Sequence, residues 1–415
     1  MPRLARDRIT WLTYAQLGLW GFFLYGFGPV VPLLRDEQGT SAAVAGLHST
    51  GIAVGALAGG ALFAPVARRL GRAPAIWLGL AGVAAGVTAL GLLRPLPATL
   101  AAVAVIATFG MMVVSGVSVV LTARHGPTAP AALTEANAAC AGMGILAPLT
   151  IGATVDAGLG WRPLMAVEVG LITLVALAAL TFRVRGPKRA PADAAAGTPV
   201  PVAVATRVPA VPASGEPVYS GSGAAGRLPR AYWIAWVLMS VTGSIEVCLS
   251  LWTADVLRTH AGLSAGGASA AVAAIVCGMF AGRIAGGRAA LRWAPVPLLL
   301  GALTVSMAGF ALFWGSTVGW LAVTGLVVLG LGNALHYPLA ISIALAVAGP
   351  AADKAAGWSA YSMGVGFGIA PVALGWVADG VGPHPAFLLL PAFIAVAVLL
   401  TVRLGRALPA PVRAA

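Results

Sequence analysis

Long apolar blocks, separated by short polar knots, set the pattern of the chain. A helix needs about 20 apolar residues to cross the hydrocarbon core of a bilayer. Twelve stretches meet that length, near residues 11–34, 42–66, 74–93, 97–123, 133–156, 161–182, 231–256, 265–290, 295–314, 317–347, 355–379 and 384–404. The pattern predicts an all-α membrane protein of twelve transmembrane helices. One segment breaks it. Residues 183–230 are rich in Pro and Ala with no helical period, and they predict a disordered cytoplasmic linker. The expected organisation is a six-helix bundle at 1–182, the linker at 183–230, and a second six-helix bundle at 231–415.

Composition sharpens this picture. Of 415 residues, 59% are hydrophobic and 9% are charged. Soluble domains carry about 25% charged residues, so this chain has too few to cover a water-facing surface. A net charge of +13 raises the question of nucleic acid. The basic residues fall in short clusters between apolar runs, which excludes that reading. They report orientation instead. With the N-terminus inside, 21 of the 25 Lys and Arg residues fall on the cytoplasmic side, and only Arg35, Arg94, Arg162 and Arg258 fall outside. That bias predicts a multi-pass protein of the cytoplasmic (inner) membrane with both termini inside. It explains most of the arginines without any chemistry. Cys140, Cys248 and Cys277 each sit in an apolar run without metal-ligand spacing, so no metal, cofactor or disulfide is expected.

The two halves echo each other. Ala147-Pro148, Gly152 and Asp156 in the fifth span match Ala370-Pro371, Gly375 and Asp379 in the eleventh, both as A-P-x3-G-x3-D. Arg72-Ala-Pro74 similarly matches Trp293-Ala-Pro295. Two matches at nearly one offset imply a parallel duplication. With twelve spans and a basic mid-chain loop, the chain resembles the major facilitator superfamily of secondary transporters. Two local motifs add to the resemblance. APVARRLGR at 64–72 keeps the Arg69, Gly71 and Arg72 positions of the family's loop between spans two and three, with Arg68 where that motif has Asp. GMGILAPLTIG at 142–152 partly matches the family's antiporter motif. The resemblance implies two pseudo-symmetric six-helix bundles that rock about a central site. It also implies a cytoplasmic gate at Arg68, Arg69, Gly71 and Arg72, with Arg283 and Arg288 as its second-half counterpart. Pro148, Gly152, Pro371 and Gly375 read as a helix-bending and close-packing motif common to both halves.

Candidate chemistry comes from polar groups inside spans. A carboxylate facing lipid is costly, so Glu246 in span seven, about 23 Å from the inner end, is expected to face the cavity or a partner. It reads as a proton-coupling site or a binder of a cationic or hydroxylated substrate, with a structural hydrogen bond to a neighbouring helix as the alternative. His48 and Glu168 are further candidates for proton handling, with a structural His48–Glu168 pair as the alternative. In GLGNALHYP at 330–338, Asn333, His336 and Tyr337 precede Pro338, and broken helices mark transporter binding sites. Tyr25, Gln16, Trp20 and Trp252 complete the expected substrate contacts. The fourth span has no Arg, which argues against an anion held tightly by an arginine of the first half. No catalytic arrangement is present, so no enzyme is expected. The expected partners are a small organic solute, protons and the lipid bilayer, and the chain is expected to act as a monomer. The partial antiporter motif points to proton-coupled efflux. Uptake of a neutral, sugar-like solute is the alternative, and a non-transporting membrane sensor is a further one.

Overall fold

The computed structural model describes residue 4 and residues 6–182, 228–290 and 292–407. Most of the expected linker, residues 183–227, therefore lies outside the described residues. Fifteen α-helices follow in order: α1 (Arg8–Gln38), α2 (Ala42–Leu70), α3 (Arg72–Leu92), α4 (Leu96–His125), α5 (Ala129–Asp156), α6 (Pro163–Thr181), α7 (Arg230–Thr259), α8 (Ala265–Ala271), α9 (Ala273–Ala289), α10 (Pro295–Gly315), α11 (Gly319–Asn333), α12 (His336–Ala348), α13 (Ala352–Val381), α14 (Pro383–Ala386) and α15 (Leu389–Ala407). Among the described residues they form 12 spans long and apolar enough to cross a membrane.

Local chemistry sets the starts and the breaks. The Asp7 carboxylate accepts from Thr10 N at the head of α1, and Ser41 Oγ does the same for Val44 N at the head of α2. The tenth span is split into α11 and α12 at Ala334–Leu335. Pro338, four residues beyond Ala334, cannot donate to its carbonyl and crowds it, so the helix opens there. Pro391 stands in the same relation to Phe387, the first of the two residues between α14 and α15.

Helices α1–α6 form one bundle and α7–α15 the other, and the repeat seen in the sequence is visible in their packing. In the first bundle α4 rides on Gly59 of α2, where a Cβ would run into the Thr108 carbonyl oxygen. In the second, α11 rides on Gly278 of α9, where a Cβ would run into the Val327 carbonyl oxygen. Only glycine admits backbones that close.

The bundles meet where α2 packs on α13, α1 on α7, and α5 on α8 and α9. The end of the molecule at which α1 begins is called here the near end, and the opposite one the far end. Closure is one-sided. At the far end, Arg35 pairs across the interface with Asp255, and Arg258 with Asp36 at 3.0 Å. Backbone N–H groups of Ala42 and Ala43, at the head of α2, donate to Asp379 of α13 at 2.7 and 3.0 Å. The Ser264 hydroxyl, at the head of α8, donates to Asp156 of α5 at 3.1 Å. At the near end no ion pair or hydrogen bond joins the two bundles among the described residues.

Candidate functional site: a cavity between the two bundles

A pocket enclosing about 70 Å³ lies between the bundles. It takes Tyr25 from α1, Ile52 from α2, Glu246 and Ser250 from α7, Met279 from α9 and Phe367 from α13. Its wall is mostly apolar. Glu246 makes no hydrogen bond and no ion pair among the described residues, yet it is half-buried in that wall. A carboxylate in such a setting is costly when charged and unpaired.

The compensating charge is Arg283 of α9. Its guanidinium approaches the Tyr25 hydroxyl and lies within electrostatic reach of Glu246 and of Cys140 on α5. Its Nε is buried without a hydrogen-bond partner. The sequence pattern puts Arg283 with the gate arginines at the end of a span. The structure instead turns its side chain inward. Arg283 stands six residues before the end of α9, about 9 Å of helix, which is within reach of the centre for so long a side chain. Arg288, in the last turn, is the exposed one, with a 3.4 Å bond to the Ile284 carbonyl. Arg68 and Arg69 in the last turn of α2, and Arg72 at the head of α3, lie at the near end and make no ion pair among the described residues. Gly71 joins the two helices with a φ of 95°, a conformation that glycine adopts freely.

Other candidates fall elsewhere. Tyr337 of α12 is buried and lies within electrostatic reach of Glu246. His336 is buried away from the cavity, where its Nε2 lies 3.0 Å from Ser306 Oγ of α10. The Asn333 amide stands behind Met279, 3.8 Å from its sulfur. Trp20 fills the space above Gly110 between α1 and α4, and Gln16 is buried on α1 away from the cavity wall. Trp252 donates at 3.2 Å to the Pro371 carbonyl and so ties α7 to α13 within the second bundle. His48 and Glu168 do not pair. The His48 ring nitrogens lie 2.9 Å from the Ala45 carbonyl and 3.0 Å from Thr99 Oγ1, and both Glu168 oxygens are buried without a partner.

The bending motif does more than bend. Pro371 has no N–H, so the Phe367 carbonyl four residues earlier loses its helical donor. The Ser49 hydroxyl of the other bundle supplies one at 2.6 Å, and Thr50 donates to the Gly368 carbonyl at 2.6 Å. One turn further, a Cβ at Gly375 would stand 2.5 Å from the Ala42 carbonyl oxygen, and one at Gly152 would stand 2.8 Å from that of Gly266. Both copies of A-P-x3-G-x3-D thus hold an inter-bundle crossing closed at the far end, each with its Asp on the first turn of a helix in the other bundle. An acid there also meets the positive end of the helix dipole. Sequence reasoning recognised the repeat and assigned no partner to either Asp.

The family model for the Major Facilitator Superfamily matches residues 15–358, most of the chain. The chain belongs to that superfamily. Solved members share its fold over nearly their whole length. They include a nucleoside transporter, NupG, in a point-mutant form (TM-score 0.74, 13% identity, covering 95% of this chain and 98% of that one). A bacterial homologue of the human lysosomal transporter Spinster, solved inward-facing and occupied, gives a TM-score of 0.72 at 14% identity, covering 98% of each chain. A D-xylose–proton symporter gives 0.69 at 14% identity, covering 97% of each. At such identities the likeness carries the superfamily fold and no substrate. A search of curated proteins returned no match.

Proposed function

We propose that this superfamily member is a proton-coupled secondary transporter of a small organic solute, working as a monomer by alternating access. The observation that carries the reading is Glu246, a carboxylate with no direct hydrogen bond or ion pair among the described residues and only the electrostatic influence of Arg283, on the wall of a cavity that both bundles share. Such a group is favoured charged when water reaches it and neutral when the cavity closes around it, so its proton is tied to which side is open. No chemical step is required of the protein. The arginine distribution supports a near end that faces the cytoplasm, in keeping with a place in the inner membrane. On that reading the far-end contacts seal the outer side.

Efflux by antiport drew its support from the stretch at 142–152. Its twin around Pro371 makes the same kind of crossing in the other bundle, and a seal of that kind serves either direction of transport. The sign of coupling is therefore left to experiment. In proteoliposomes loaded with a pH-sensitive dye, a solute gradient is expected to move protons in the wild type and to move none in Glu246→Gln, which keeps the side-chain volume. Solute flux that is equal in both proteins, with no proton signal in either, would overturn the coupling and leave a facilitator.

A further inference from the structure

We infer that the solute is a small organic monoanion, a carboxylate with an apolar body, which binds Arg283 while Glu246 carries a proton. This rests on the proton-coupled reading above and extends it from the charges around the cavity. Arginine keeps its charge at any working pH. With Glu246 ionised, the empty site holds one negative and one positive charge and is neutral as a whole. The other titratable groups that face the pair are Tyr25 from α1, Cys140 from α5 and Tyr337 from α12, none of which is ionised near neutral pH. The remaining wall, including Ile52 of α2 and Phe367 of α13, is apolar.

Charge accounting then discriminates among cargoes. A cation at ionised Glu246 leaves the cavity with a net charge of one, because Arg283 is still there. A monoanion at Arg283 also leaves a net charge if Glu246 stays ionised. A monoanion together with a proton on Glu246 leaves none. Closing a weakly hydrated cavity around a net charge is costly, so among charged cargoes the monoanion with a proton is the combination that crosses, while a neutral solute leaves the ionised pair balanced and takes no proton with it. The stoichiometry is one anion and one proton moving the same way, without net charge movement. A dianion would exceed what a single guanidinium balances.

Geometry agrees with charge. The guanidinium is a planar fork that matches a carboxylate in two-point contact. The Arg283 Nε is buried without a partner, and the Tyr25 hydroxyl beside the guanidinium, on the cavity wall, can donate as well. The apolar wall fits a hydrocarbon body. The fourth span has no arginine to hold an anion from the first bundle, and Arg283 supplies that charge from the second.

The test uses the full chain in proteoliposomes with an internal pH dye, against protein-free vesicles that report passive acid permeation. The probes are the monoanions pyruvate, L-lactate, 2-oxoisovalerate and phenylpyruvate, the dianion succinate, the cations ethidium and tetraphenylphosphonium, and the neutral solutes D-xylose and uridine. A monoanion gradient is expected to carry protons in its own direction, at a rate that does not change when the membrane potential is clamped. Arg283→Gln is expected to lower that flux at least tenfold, and Arg283→Lys to restore part of it. Glu246→Gln, fixed in a neutral form, is expected to retain anion exchange while losing net proton movement. A cation that drives protons the opposite way overturns the inference and keeps proton coupling, as does a neutral solute whose coupled flux survives Arg283→Gln. Solute flux indifferent to Glu246→Gln overturns the coupling itself. The sign of the wild-type proton flux decides between anion and cation even if an Arg283 variant fails to fold.

Discussion

A Gly375→Leu variant is expected to fold and to stand with its far end open. The added Cβ would meet the Ala42 carbonyl at 2.5 Å and the carbon behind it at 2.6 Å, and both atoms are backbone of the other bundle. No rotamer of Ala42 can relieve that clash, so α2 and α13 must part. Gly46, one turn into α2, meets Pro371 of α13 nearly as closely, with a Cβ position 2.9 Å from its carbonyl oxygen. Contacts of this kind join the bundles and are not needed to fold either one. The penalty therefore falls on one access state and not on the protein as a whole. Overpacking costs about 1–3 kcal/mol, and each 1.4 kcal/mol is a factor of about ten in population. Adding Gly152→Leu at the second crossing is expected to deepen the shift. Spin labels at Leu92 and Trp320, exposed residues toward the far end of opposite bundles, would report it. On a background with Cys140, Cys248 and Cys277 replaced by alanine, the distance between the labels should lengthen by several ångströms in the variant. An unchanged distance distribution in a folded variant would sink the idea that this crossing is the seal.

The helices and the lone carboxylate were legible for a simple reason. A span announces itself by length and apolarity, and one acid inside it stands out whatever its neighbours are. Arg283 was not legible as a residue turned toward Tyr25 and Glu246. The bias of arginine toward the cytoplasmic side accounts for any arginine near that end of a span, and it absorbed Arg283 together with Arg288. The signal that separates them is depth, because only Arg288 lies in the last turn of α9. Asn333 and His336 illustrate a different limit. Their polarity beside Pro338 correctly marked a broken helix, but which way they point depends on helical phase. A helix that is apolar all round gives no phase, and the structure turns both into the second bundle. The far-end charges are the third case. Arg35 and Asp255 are 220 positions apart, and no local pattern joins residues at that distance. Arg35 reads in the sequence as one of four arginines on the outer side, and nothing singles out Asp255 until the fold places the ends of α1 and α7 together.

That far-end cluster sets the other large expectation, for Asp255→Asn. Arg35 and Asp36 end α1, Asp255 and Arg258 end α7, and the four charges sum to zero. Asp255 is 2% exposed and is shared by Arg35, across the interface, and by Arg258 at 3.8 Å. Asp36 binds Arg35 at 2.7 Å and Arg258 at 3.0 Å. Replacing Asp255 with its amide keeps the shape and removes one negative charge from beneath two arginines. Breaking a buried pair costs about 3–5 kcal/mol. Both arginines are partly open to water, which relieves some of that cost, so a penalty of about 2 kcal/mol on the closed state is the expectation. Water takes over the arginines once the bundles separate, so the open state is spared. The population should move toward far-end opening by a factor on the order of 30. Ser250, on the cavity wall, abuts Gly28 where α1 meets α7 and offers a reporter. A Ser250→Cys thiol, placed on the cysteine-free background, should react with a membrane-impermeant reagent applied from the far side many times faster when Asp255→Asn is added. The exchange variant Arg35→Asp/Asp255→Arg restores two charges of each sign and should restore slow labelling. Fast labelling in the exchange variant would show that the closed state depends on these side chains individually. Slow labelling would show that the balance of charge across α1 and α7 holds the far end shut.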